Sequence, residues 1–398
     1  MPGDAAADRG GGGVAMLRFH WRLPQGGEQA PASRAHLTAL RQSGLPDLEA
    51  QVPFARAAEA CGIDSLLLDF GWAKPDPIVL ATALGLATTK VRLIIAHRSG
   101  LMGPVTFVQQ LNTLSVMIGD RFSLNIVAGH SPEEQRGYGD FLAHDDRYAR
   151  TDEYLGICRA LWADDRDVTF AGKHYRVEHA RLNTPFSSTQ RAFPETYLAG
   201  NSPPARSLSL TRGSCWMRLA DAPDQVAAEA QPVLASGGEV GMRFAVVGRR
   251  THAEAVEAAR ALAAAAGTQF DDRGAERRFI THSDSVSMHA VDALADREWL
   301  RPWLWTGLVR SHGAAAMALV GDPDELASGL LEYARAGVSQ FIISGWPKLE
   351  QMQFFGEHVL PRVRAREAAG EGRTPHHAAG ARPAELTTEP AGRGPSPP

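Results

Sequence analysis

A chain of 398 residues, 44% hydrophobic and 22% charged, has the composition of an ordinary globular protein with one large domain or two. A formal charge of −4 leaves no footprint for nucleic acid or an anionic membrane, and no apolar run approaches the ~18 residues of a membrane helix. Three scattered cysteines, Cys61, Cys158 and Cys215, have neither metal-ligand nor C-x-x-C spacing and fit a reducing cytoplasm.

Residues 1–13, rich in Ala, Gly and Asp, read as a flexible leader without the order of a signal peptide. The run at 14–21 predicts a first strand that carries His20 to its end, followed by a long Gly/Pro/Gln-rich loop at 25–46. Helical spacing fills 47–61, with Gly62 where a C-cap belongs, and 65–70 is the second strand. Asp76 or Pro77 opens an Ala/Leu-rich helix. The third strand is 91–96, with His97 and Arg98 just beyond it, and a helix over 104–117 leads to the fourth strand at 122–127. That strand ends in the small residues Ala128 and Gly129, then pours into His130, Glu133, Glu134, His144, Asp145, Arg147 and Tyr148. A helix over about 148–162 precedes an insertion at about 163–193, where 168–170 and 174–177 can pair as a hairpin. Strands five to eight are expected at 196–199, 215–219, 243–247 and 340–344, with a second excess of chain at about 250–310.

Eight strands alternating with helices at intervals of about 30 residues are the sequence form of a (β/α)8 TIM barrel, here with insertions after strands 4 and 7. The barrel is expected as a single domain over 14–366. Residues 367–398 turn to Ala, Gly, Arg, Pro and Glu without periodicity and read as a disordered tail. A doubly wound open sheet competes, but no G-x-G-x-x-G follows the first strand. Zinc spacing, a P-loop and G-x-S-x-G are also missing. What recurs is a small or polar residue at or past nearly every strand. A Gly200-Asn201-Ser202 turn suits a phosphate and arginines suit anions, so the pattern favours a phosphorylated cofactor with a polar substrate.

Over 14–361 the chain resembles the two-component flavin monooxygenases of the bacterial luciferase-like superfamily, most closely the alkanesulfonate monooxygenases. The resembling motifs are F-H-W-R-L-P (19–24), L-N-I-V-A-G (124–129), H-D-D-R-Y (144–148), G-K-H-Y-R-V (172–177), Y-L-A-G-N-S (197–202), L-W-T-G-L-V-R (304–310), A-L-V-G-D-P (318–323) and S-G-W-P-K-L-E (344–350). The resemblance implies a barrel that takes reduced FMN (FMNH2) from a separate NAD(P)H:flavin reductase. O2 then gives a peroxyflavin that oxygenates the substrate, in desulfonation releasing sulfite and an aldehyde. It puts the flavin against Ala96, Asn125, Val127, His144 and Tyr148, with its phosphate at Gly200, Asn201 and Ser202. Arg243 and Arg310 match the family's two substrate arginines. The family's Trp, His, Tyr and loop Cys fall at Leu219, Ala245, Trp346 and near Lys74, so Arg310, Arg243 and Trp346 are the expected substrate-side residues. Loss of the His at Ala245 is expected to leave room for a larger anion. A cytoplasmic homo-oligomer, dimer or tetramer, is expected. Two other readings stay open: a relative using deazaflavin F420 for hydride transfer, and a catalytically retired flavin-binding barrel.

Overall fold

The structure, a computed structural model, describes residues 16–25, 45–163, 167–269 and 275–372. The expected leader, most of the loop at 25–46 and the tail from 373 onward lie outside the described residues.

In chain order the strands are β1 (Arg18–Arg22), β2 (Ser65–Leu68), β3 (Arg92–Arg98), β4 (Phe122–Val127), β5 (Val168–Ala171), β6 (Arg176–Ala180), β7 (Thr196–Ala199), β8 (Cys215–Leu219), β9 (Glu239–Gly248), β10 (Trp299–Arg301), β11 (Leu304–Trp305), β12 (Ala318–Gly321) and β13 (Val338–Ser344). Parallel pairing runs β1-β2-β3-β4-β7-β8-β9-β13 and back to β1, which closes the expected (β/α)8 barrel. Helices between the strands start on residues chosen for it. The side chain of Asp76 accepts from Ile78 N and Val79 N with Pro77 in the first turn, and Asp322 and Glu325 form a reciprocal capping box.

The first insertion contains the β5–β6 hairpin, and the second returns through β10, β11 and β12. β12 lies parallel to the upper end of β9, from Ala318 opposite Ala245 to Gly321 opposite Gly248. β9 therefore extends to ten residues, longer than the expected 243–247. These three added strands were not expected, because runs so short have little local preference and are stabilised by pairing.

Period-two alternation sorts each barrel strand into a face against the helices and a face inside. On β1, Phe19 and Trp21 join the outer core while Arg18, His20 and Arg22 climb the interior. The barrel floor is polar: Arg18 binds Glu195 (2.6 and 2.9 Å) and Glu239 (2.9 Å), and Gln340 bonds both glutamates. Above it lies an apolar layer of Leu67, Ile94, Tyr197, Cys215, Met217 and Ile342. Gly241 belongs to this layer because a Cβ there would overlap the Met217 sulfur. This plug fills the middle of the barrel, and open space lies above it, at the C-terminal ends of the strands.

The last helix, Leu360–Ala368, runs past the domain boundary expected at 366. The Glu367 carboxylate accepts from Leu17 N (2.7 Å) and from Arg364 Nη1 (2.7 Å), fastening the end of the chain to the start of β1. Truncation after Gly372 should leave the melting temperature unchanged. Truncation after Arg366 should cost ~1–3 kcal/mol by removing those charge-assisted bonds, and equal melting curves for the two would refute the fastening.

Candidate active site

One cavity of about 240 Å³ opens at the C-terminal ends of the barrel strands. Ala96, Asn125, Val127, His144, Tyr148, Gly200, Asn201 and Ser202 all line it. The helix expected from 148 begins a turn earlier, at His144, and this registers the site. His144 and Tyr148 are four residues apart on one helix face, with ring centroids 5.0 Å apart, and both turn toward the cavity. Burial raises the Tyr148 phenol above its usual range, which keeps it a hydroxyl donor.

The Gly200 turn is built for close approach. Its φ is +125°, and a Cβ would stand 2.9 Å from Ala205 Cβ and 3.1 Å from the Tyr148 hydroxyl. Trp216 Nε1 donates to the Gly200 carbonyl (2.8 Å) and holds the turn from β8. Ser202 Oγ is sealed from solvent beside the Tyr148 hydroxyl. A phosphate fits this cradle, since it would accept from the Ser202 and Tyr148 hydroxyls. Pro203 and Pro204 open the following helix and carry no N–H, so backbone donation to such a phosphate is confined to the turn itself and the side-chain hydroxyls add to it.

The lining also contains Arg22, Arg98, Arg218 and Arg243 against the carboxylates Asp69 and Asp284. Arg22 Nε binds Asp69 at 2.5 Å, and Arg243 stands 3.6 Å from the same carboxylate. Arg98 is almost wholly buried, bonded to Glu134 at 2.6 Å and set over the rings of Phe70 and Tyr138. Its Nε and Nη1 have no hydrogen-bond partner among the described residues. These arginines are largely paired with carboxylates, yet they give an anion in the cavity several N–H donors to meet.

Arg310 and Trp346 stand apart from the other expected site residues. Arg310 does not line the cavity. It is partly exposed and ion-paired to Asp296 (2.5 Å) and, more distantly, to Asp292 (3.7 Å), carboxylates of its own insertion that hold it outward. Trp346 is set back one layer, buried with Ala245, Trp305 and Leu308. The room expected beside Ala245 is filled by these side chains. Leu219 does line the cavity, whereas Lys74 instead donates to the Gln25 carbonyl (2.8 Å).

The second insertion covers the mouth. Ser283 Oγ and Asp284 N both donate to the His130 carbonyl, and Arg147 binds Asp284 at 2.5 Å. Sequence reasoning missed Arg22, Asp69 and His312 as lining residues. A period-two reading of β1 would have found Arg22, which shares a face with His20. Nothing in the S-H-G stretch at 311–313 marked His312.

His97, expected beyond strand three, is the last but one residue of β3 and faces away from the cavity. Its ring stacks on Phe107 at 3.9 Å, and Nε2 lies 2.9 Å from the Tyr154 hydroxyl. Burial lowers its pKa to about 3 from an ordinary 6.5. The unfolded chain therefore gains a proton below pH 6.5 that the folded chain refuses, and stability falls as pH drops from 6.5 toward 3. His97→Gln should flatten this acid limb by up to ~1.4 kcal/mol per pH unit in urea titrations. An unchanged limb would show that His97 does not contribute to it.

Residues 18–340 match the sequence profile of the luciferase-like monooxygenases. The chain belongs to that family. Among solved structures it is similar to a riboflavin lyase with modified FMN and riboflavin, at 21% identity and a TM-score of 0.69, covering 90% of this chain and 94% of that one. The EDTA monooxygenase of Chelativorans sp. BNC1 is similar at 19% identity and a TM-score of 0.69, covering 88% and 94%. An F420-dependent secondary alcohol dehydrogenase is similar at 19% identity and a TM-score of 0.61, covering 88% and 99%. At these identities the likeness to the three structures is one of fold. An FMN-containing and an F420-dependent enzyme thus share this fold, and among the described residues no helix is long and apolar enough to cross a membrane.

Proposed function

We propose that this luciferase-like protein is a two-component monooxygenase that uses FMNH2 and O2 on an organic anion. The observation that carries the reading is the polarity of the cavity at the strands' C-terminal ends, with a hydroxyl-lined phosphate cradle at Tyr148, Gly200 and Ser202 and arginines at Arg22, Arg98 and Arg243. Bound there, reduced FMN would activate dioxygen and supply one oxygen atom to the substrate. The chain's own residues would bind and orient. Tyr148 and Ser202 would hold the phosphate, and Ala96, Asn125, Val127 and His144 would flank the ring system. Arg243 and Arg98 would hold the substrate's anionic end, and the second insertion would exclude water. A separate NAD(P)H:flavin reductase would supply the cofactor, since no dinucleotide fingerprint follows β1.

Anaerobic titration tests the cofactor. The protein should bind reduced FMN more tightly than oxidised FMN, and preference for reduced F420 would replace this reading with hydride transfer. Substrate-dependent oxygen consumption with a flavin reductase present then separates a working enzyme from a flavin-binding barrel. Arg243→Ala should weaken anionic substrates by roughly ten- to hundredfold, since a charge-assisted bond is worth ~1.5–3 kcal/mol. Arg310→Ala should change KM by less than about twofold, because its side chain is engaged by Asp296 outside the cavity. Steady-state kinetics showing the reverse order would return Arg310 to the substrate.

A further inference from the structure

His312 closes the four-residue helix Val309–His312, and Gly313 follows in the left-handed region at φ +100°. That reversal brings His312, Gly313, Ala314 and Ala315 against the cavity. The imidazole packs edge-on against Trp346, with centroids 4.7 Å apart, and Trp346 is pinned in the buried cluster with Ala245 and Leu308. Ala245 is two residues beyond Arg243 on the same face of β9, and the arginine and the imidazole line the same cavity.

The hydrogen bonds around the ring bear on its tautomer. Ser311 Oγ lies 3.3 Å from the Leu308 carbonyl and 2.8 Å from His312 Nδ1. A hydroxyl has a single proton; when it goes to the carbonyl, the serine oxygen accepts from Nδ1–H. Nε2 then carries a lone pair and has no protein partner among the described residues. Burial keeps the ring neutral by lowering its pKa to about 4 from 6.5. The arginines of the lining can only donate. A neutral nitrogen acceptor at His312 therefore gives the site a demand opposite to theirs.

We propose that His312 reads the substrate: Nε2 accepts a hydrogen bond from an O–H or N–H that the organic anion carries away from the end held by Arg243. The substrate class is then an anion with a hydrogen-bond donor, as in a hydroxy- or amino-substituted sulfonate or carboxylate. This rests on the anionic-substrate reading above.

Two measurements on the full chain test it. In 15N-histidine spectra at pH 7, assigned by comparison with His312→Phe, Nε2 should show the shift of an unprotonated imidazole nitrogen. A protonated Nε2 would overturn the proposal whether or not any anion binds. Calorimetry with benzenesulfonate and 4-hydroxybenzenesulfonate supplies the second. The wild type should favour the hydroxylated probe by about fivefold, the range of one neutral hydrogen bond. Phenylalanine keeps a ring against Trp346 but cannot accept, so His312→Phe should reduce that preference below about twofold while benzenesulfonate binds as before. The same preference in wild type and variant would overturn the proposal and leave the anion reading standing. Failure of both probes to bind would overturn the anion reading, and this proposal with it.

Discussion

Replacing Arg18 by methionine should cost the fold ~1–3 kcal/mol, because Glu195 is mostly buried while Arg18 and Glu239 are partly screened by solvent. Arg18 neutralises Glu195 and Glu239 inside the barrel floor, with bonds of 2.6–2.9 Å. Burial alone would lower the Arg18 pKa, but Glu195 beside it more than offsets this and raises it. In return Arg18 holds the Glu195 carboxylate below its ordinary range, although burial pulls the other way. Without the guanidinium, the two carboxylates would keep Gln340, the Tyr197 and Ser339 hydroxyls and the more distant Arg191, but would lose their main cation. The urea midpoint should fall with little change in slope, since the surface exposed on unfolding is the same. The deficit should narrow as pH falls from 7 toward 5, because the two carboxylates can then take up protons. A loss under ~1 kcal/mol would mean that water reaches the floor and screens the pair.

Ser202→Asp should lower FMN affinity by at least about tenfold, or ~1.4 kcal/mol. The position is buried beside Tyr148 and Gly200, and Pro203 and Pro204 leave few backbone donors to offset an added negative charge. Riboflavin lacks the phosphate and serves as the control. Its binding should change by less than about twofold, which separates local repulsion from damage to the fold. Fluorescence titration showing unchanged FMN affinity would place the phosphate elsewhere in the cavity. Equal losses for FMN and riboflavin would point to a misfolded turn.

The candidate site was legible where a residue's place in its own element decides its direction. Ala96, Asn125 and Val127 end short strands whose alternation fixes which side chains face inward. His144 and Tyr148 share a helix face. Gly200 to Ser202 end β7 where a barrel must place its ligands. The reading failed where direction depends on a distant partner. Motif order put Arg310 in the right segment, but Asp292 and Asp296 decide which way it points. Ala245 reads as a vacated position until Trp346 is seen filling it.

By itself the sequence determined the barrel and the end at which its cavity opens, because strand and helix periods, caps and turn glycines are local quantities that survive without the rest of the chain. The addition of β10, β11 and β12 to the upper end of β9, the buried Arg18 cluster and the Asp284 latch over the mouth were decided only by tertiary structure. So was His312, whose role depends on Ser311, Leu308 and Trp346 meeting in space. Each of these joins residues far apart in the chain or in an irregular loop. Pairing, charge compensation and tautomer choice gain their energy only once both partners are in place.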